Sequence, residues 1–235
     1  MKTLAIDLET YSSTDLTKCG VYAYCESEDF EILLFGYAVD DDPVLIVDLA
    51  SGEDIPTEVL GAITDPRVIK TAYNANFERT CLARYLKRPM QPEQWRCSSV
   101  HALVLGLPGY LEGVAKCLKL ENQKMKEGKA LIRYFSVPCK PTKVNGGRTR
   151  HLPKHDPEKW ATFKEYCKQD VAVERQLRKK LEAFPLQDME QRLWHMDQHI
   201  NDAGVLVDTE LVKKAIYADM HFQEQLFNEA VQLTG

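Results

Sequence analysis

The chain has 235 residues, 44% of them apolar, and a formal net charge of −5, enough for one sizeable core and a smaller piece. No run of about 18 apolar residues is present, which argues against a membrane-spanning helix. The N-terminus enters a strand pattern at once, without the charged and apolar regions of a signal peptide. The seven cysteines (19, 25, 81, 97, 117, 139 and 167) show no Cys-x-x-Cys spacing and read as free thiols of a reducing cytoplasm, not as a zinc ribbon.

The modest net charge hides a segregation. Residues 1–58 carry fourteen Asp and Glu against Lys2 and Lys18. Residues 116–154 carry eleven Lys and Arg against Glu121 and Glu127. A local basic stretch on an acidic chain suits a polyanion such as a phosphate backbone; a solvated helix and loop is the plainer alternative.

In chain order, the first expected strand covers 3–9. Its side chains alternate across the strand, so Asp7 and Glu9 share a face while Leu4, Ile6 and Leu8 take the other. Two like charges side by side in apolar surroundings repel and lose hydration unless a cation lies between them. Such oxygen donors suit Mg²⁺ or Mn²⁺; the bland alternative is an acidic pair facing water. Strands over 31–39 and 44–48 follow, then a helix near Pro56, since proline suits a first helical turn. A strand over 68–72 leads to a helix from about 76 to 86, and further helices cover 98–106, 110–119 and 123–135. Residues 137–155 form a loop rich in Pro and Gly. Asp156 and Pro157 open a long helix to about 183, with Asp as N-cap and Pro in the first turn. Three strands followed by alternating helix and strand predict an α/β domain with a mixed sheet.

Two helices place acids where apolar residues belong. The inward stripe of the long helix reads Trp160, Phe163, Cys167, Asp170, Glu174, Leu177 and Leu181, with Tyr166 one turn before Asp170. In the helix after residue 75, Glu78 shares a stripe with Cys81, Leu82 and Tyr85, and Asn74 lies four residues upstream. A carboxylate on a core-facing stripe is costly unless compensated. Beyond Pro185 the pattern predicts a helix from Met189, Gly204 at its end, a short Val-rich strand at 205–207, and Asp208 capping another helix. His195 and His199 are four apart, but Met196 stands where a metalloprotease pair carries Glu, so no metal is expected there. His151 and His155 read as loop histidines near phosphate.

Asp7-x-Glu9, Asn74-x-x-Phe77-Glu78 and Tyr166-x-x-x-Asp170, in that order, resemble the three exonuclease motifs of the DEDD 3′–5′ exonucleases of the tyrosine subtype, whose fold is RNase H-like. The segments Cys19-Gly20-Val21-Tyr22-Ala23-Tyr24 and Lys124-Met125-Lys126-Glu127-Gly128-Lys129 resemble phage- and prophage-type family A DNA polymerases, which carry their proofreading domain at the N-terminus. Residues 189–208 are similar to the entry into the polymerase part of those enzymes. One position departs: Glu78 stands where the second motif usually has Asp, which keeps the charge and moves it by one methylene.

The resemblance implies an exonuclease domain over 1–183 and the helical start of a truncated polymerase region over 184–235, without a polymerase site. It implies hydrolysis at a DNA 3′ end, releasing nucleoside 5′-monophosphates. Two divalent cations, Mg²⁺ or Mn²⁺, would be held by Asp7, Glu9, Glu78 and Asp170, with Tyr166 and Glu9 orienting the attacking water. Thr10, Tyr11, Asn74 and Phe77 would hold the terminal nucleotide, and Lys140, Lys143, Arg148 and Arg150 would follow the strand. Expected partners are single-stranded DNA or a primer 3′ end and a covalently following polymerase domain. A monomer in the cytoplasm of a bacterium or phage-infected host, away from membranes, is expected. An RNase D-type exoribonuclease, a DNA-end-binding module with a weak site, and a structural domain of a larger assembly remain open alternatives.

Overall fold

The computed structural model describes residues 1–120 and 127–234. The chain divides into two compact units, Met1–Gln198 and His199–Gly235. The first is built on a mixed five-stranded sheet of β1 (Thr3–Tyr11), β2 (Glu31–Val39), β3 (Leu45–Asp48), β4 (Ile69–Ala72) and β5 (Trp95–Cys97), in the order β3-β2-β1-β4-β5. β1, β2 and β3 pair antiparallel, whereas β4 and β5 run parallel to β1. Around it lie α1 (Leu16–Glu26), α2 (Thr57–Thr64), α3 (Ala75–Tyr85), α4 (Ser98–Val104), α5 (Leu111–Cys117), α6 (Gly128–Phe135) and α7 (Pro157–Leu181). α8 (Asp188–Ala203) and α9 (Thr209–Thr234) follow. This is the α/β mixed-sheet architecture that the element order predicts, in the RNase H-like arrangement that the resemblance implies.

The alternation along β1 sorts its side chains as expected. Leu4, Ile6 and Leu8 join a core with α2 and α3, while Ala5 packs with Ala38 and Val171 of α7 on the opposite face. Every residue of the long-helix stripe from Trp160 to Leu181 is buried, acids included. α7 starts where its cap signal lies, with an Asp156 carboxylate oxygen accepting from the Lys159 N–H at 3.1 Å.

Close contact between α7 and the sheet depends on a glycine. Asp7 pairs with Gly36 of β2. A Cβ on Gly36 would lie 2.8 Å from Cys167 Sγ and 3.0 Å from Val171 Cγ2, so only a bare backbone lets the helix settle there.

Several expectations need correction. The stretch at 205–207 is no strand: it pairs with nothing among the described residues, and a lone strand cannot satisfy its own backbone. Asp208 does cap α9, accepting from the N–H groups of Glu210 and Leu211 at 3.0 Å. Tyr85 leaves the α3 stripe and is 43% exposed. The helix expected over 123–135 is seen from Gly128 onward; its start, Lys124 and Lys126 fall outside the described residues. Two elements escaped the pattern. α1 is interrupted at Gly20 (φ 74°), so neither half shows a full helical stripe, and β5 has only three residues. All seven cysteines are free thiols. No described helix is long and apolar enough to cross a membrane.

Candidate functional site

β1 supplies the first two acids. Ligand atoms of Asp7, Glu9 and Cys167 lie within 4.8 Å of one another, Glu9 and the cysteine being buried. One side of α7 then brings Tyr166 and Asp170 to the same place, both buried and one helical turn apart. The Tyr166 hydroxyl is hydrogen-bonded to Asp170. The tyrosine ring is clamped on two sides: it stacks on Phe163 with an interplanar angle of 5°, and it occupies the place of a side chain on Gly128. A Cβ at Gly128 would lie 2.1 Å from Tyr166 Cε2, so the first residue of α6 must be glycine for the ring to stand as it does.

α3 adds Glu78, which is 5% exposed and has one carboxylate oxygen, Oε2, with no hydrogen-bond partner. Behind it, Glu174 accepts from Ser98 Oγ at 2.5 Å and Thr71 Oγ1 at 3.5 Å. Burial first, then the charges of Asp7 and Glu174, push the Glu78 acid well above the usual carboxylate range. Burial and then Asp170, Glu9 and Asp7 likewise push the Tyr166 phenol upward, so it stays protonated. Burial and the same carboxylates raise the Cys167 thiol, which therefore stays neutral and is a poor ligand for a hard cation. The carboxylate oxygens of Asp7 and Glu9 are donors of the kind such an ion takes; among the described residues Asp170 and Glu78 bear on them electrostatically without joining the group that meets within 4.8 Å. Like charges gathered in a poorly hydrated place, one of them on a carboxylate with an unsatisfied oxygen, are relieved by a bound cation.

Asp7, Glu9, Thr10, Asn74, Phe77, Tyr166 and Asp170 line one cleft of about 740 Å³. Thr10 Oγ1 lies 2.8 Å from the Tyr24 hydroxyl, and the Tyr24 ring sits 6.2 Å from that of Phe77. Glu78 lies behind this lining. Tyr11 does not line the cleft: it is 3% exposed, with the Arg150 guanidinium 3.8 Å above its ring. Arg150 is also paired with Glu31 at 2.8 Å, which holds it over the start of β2, beside the end of β1. Lys140, Lys143 and Arg148 lie on the loop that leaves the cleft after Pro138. His151 stacks on Tyr134 at 3.8 Å, and His155 Nδ1 accepts from the Leu152 N–H, so neither faces the acids.

Sequence reasoning missed Cys167 as a neighbour of the acids and gave Gly36 and Gly128 no role. No pattern could find the glycines, because their need arises from side chains distant in the chain. Glu174 was visible on the inward stripe, but its partners Ser98 and Thr71 were not.

No family model matches the chain. Over all 235 residues it is 62% identical to the DNA polymerase of Bacillus phage SP02. It spans 36% of the length of that relative. Among solved structures, Escherichia coli RNase D, an exoribonuclease involved in structured RNA processing, superposes with a TM-score of 0.52. That match has 13% identity and covers 85% of this chain and 45% of RNase D. Trypanosoma brucei RNase D in complex with RNA U12 gives the same TM-score at 17% identity, covering 84% of this chain and 62% of that one. The chain thus has the fold of these RNase D structures, which fixes the architecture and leaves the substrate to other evidence.

Proposed function

We propose that this chain is the proofreading 3′–5′ exonuclease part of a family A-type DNA polymerase. On this reading residues 1–183 form the exonuclease domain and 184–235 the helical start of the polymerase region. The observation that carries the reading is the meeting of Asp7, Glu9, Tyr166 and Asp170 in one cleft, with Glu78 buried behind them. The 62% identity to a phage DNA polymerase supports DNA as the substrate.

Asp7, Glu9 and Asp170 would hold one divalent cation, and Asp7 with Glu78 a second. Bound Mg²⁺ or Mn²⁺ supplies neutralisation of the attacking and leaving oxygens and acidifies the attacking water. Tyr166, kept protonated by its buried, carboxylate-rich surroundings, donates to Asp170 and keeps its lone pairs for the water. It positions that water and does not act as a base. Glu9 accepts from the same water on the other side. The water oxygen bonds to phosphorus, releasing one proton to solvent, and the bond from phosphorus to the 3′ oxygen breaks. That oxygen takes a proton from solvent, leaving a strand one nucleotide shorter and a nucleoside 5′-monophosphate. Phe77 offers a stacking face to the terminal base, and Thr10 and Asn74 offer polar contacts.

The test is digestion of end-labelled single-stranded DNA and RNA of one sequence. Stepwise loss from the 3′ end of DNA, release of nucleoside monophosphates and arrest by EDTA are expected. Cleavage from the 5′ end or without metal would refute the reading, and preference for RNA would favour the RNase D-type alternative.

A further inference from the structure

The loop that leaves the cleft after Pro138 is a closed and self-supported structure. Its limbs meet where the Cys139 N–H donates to the Thr149 carbonyl at 2.7 Å, and the Gly147 N–H donates to Thr142 at 2.9 Å. Asn145 organises the tip: its Oδ1 accepts from the N–H groups of Thr142, Gly147 and Arg148, and its Nδ2 donates to the carbonyls of Lys140 and Arg148. Gly146 and Gly147 take the left-handed backbone that lets the chain reverse there. The base is pinned on both limbs. Val137 and Pro138 line the cleft, and Arg150 is held by Glu31 and the Tyr11 ring.

This fixed tip presents Val144, which is 98% exposed, as an apolar point between cations. Among the described residues no ion pair involves Lys140, Lys143 or Arg148. We propose that the 139–149 loop is a wedge for the end of duplex DNA. Val144 enters at the terminal base pair, while Lys140, Lys143 and Arg148 hold the phosphates on either side. The parted 3′ strand then passes to the cleft at Val137 and Pro138. Three features argue for duplex DNA. The charge is complementary to a polyanion, the tip is apolar where base pairs are apolar, and the loop base is continuous with the cleft that takes the strand end. A wedge must also keep its shape under load, which the Asn145 bonds provide. The proposal rests on the exonuclease reading and adds to it the substrate form: a paired 3′ end that the protein itself opens.

The test compares wild type with Val144→Ser and Val144→Ile on single-stranded DNA and on a blunt duplex of the same 3′ sequence. Val144→Ser should slow duplex digestion by about tenfold, the scale of a lost apolar wedge, and leave single-strand digestion within about twofold. Val144→Ile should restore the duplex rate. Equal losses on both substrates, or no loss on either, would overturn the wedge. A second measurement needs no catalysis: 2-aminopurine at the 3′ terminus of the duplex, with EDTA present. Wild type should raise its fluorescence and Val144→Ser should not; no rise with wild type also overturns the proposal. Absence of any single-strand digestion by wild type would instead count against the exonuclease reading, with the fluorescence still deciding the wedge.

Discussion

The acid wall of the cleft and the basic loop beside it handle charge in opposite ways. On the wall Glu9 and Asp170, and behind it Glu78, are each 5–6% exposed and face further carboxylates. Their positions are set by core packing: Gly36 lets α7 reach β1, and Gly128 makes room for Tyr166. On the loop, Lys140 and Lys143 are exposed, and the backbone is held by its own hydrogen bonds. The wall therefore holds electrostatic repulsion that a cation can relieve, while the loop carries charge at little cost because water already solvates it. Substitutions in the wall should change turnover and stability together; neutralising the loop's exposed cations should change DNA binding and leave turnover at saturating DNA little altered.

The sharpest way to break that contrast is to remove a wall acid. Asp7→Ala or Asp170→Ala should lower turnover by about a thousandfold or more, a loss of roughly 4 kcal/mol of transition-state stabilisation. Without metal the melting temperature should hold or rise, since a repelling charge is gone. The stabilisation by Mn²⁺ should shrink, as expected when a ligand binds only the native state. An Mn²⁺ shift equal to that of wild type would place the ion elsewhere.

The next effect belongs to packing under the wall. Gly128→Ala forces Tyr166 aside and should cut kcat by about tenfold or more, the scale of a misplaced catalytic group, with KM nearly unchanged. In a Tyr166→Phe background the same change should cost far less. Additive losses would mean that Gly128 acts on something other than the tyrosine. Gly36→Ala meets Cys167 and Val171 and should destabilise by about 1–3 kcal/mol in denaturant melts.

Glu78 gives a pH signature. Its acid is raised in the fold, so Glu78 costs nothing below the unfolded-state value, and stability falls as pH rises from there to the folded-state value, above which the loss is complete. Wild type should therefore lose stability relative to Glu78→Gln as pH rises, by about 1.4 kcal/mol for each tenfold change in proton affinity. A gap that stays constant between pH 4 and 9 (about the range in which a buried Glu titrates) would show that Glu78 is ordinarily solvated. In activity, Glu78→Asp should keep a substantial part and Glu78→Gln should lose most.

The smallest effect concerns the loop. Neutralising Lys140, Lys143 and Arg148 together should flatten the log–log salt dependence of single-strand binding by about 0.7 per contact, with turnover at saturating DNA little changed. Arg150→Gln should leave that slope alone and loosen the loop, because its guanidinium is already engaged with Glu31 and Tyr11. A slope change for Arg150→Gln matching the others would show that this pairing opens on binding.

Local rules made much of the molecule legible. Alternation along β1 put Asp7 and Glu9 on one face, helical period put Asp170 and Glu174 among buried apolar residues, and cap chemistry set the starts of α7 and α9. These are short-range preferences, so the sequence by itself determined them, together with the α/β order of elements. What only the tertiary structure decided depends on residues far apart in the chain. Gly36 and Gly128 are empty because Cys167 and Tyr166 fill the space, which no periodicity can encode. Cys167 stands with the acids because α7 crosses β1 there. Arg150, read as one basic residue among several, is drawn away by Glu31, 119 positions earlier, and Tyr11 is buried beneath it. The stretch at 205–207 has strand-forming residues and no partner strand among those described, and a strand exists only through its neighbour.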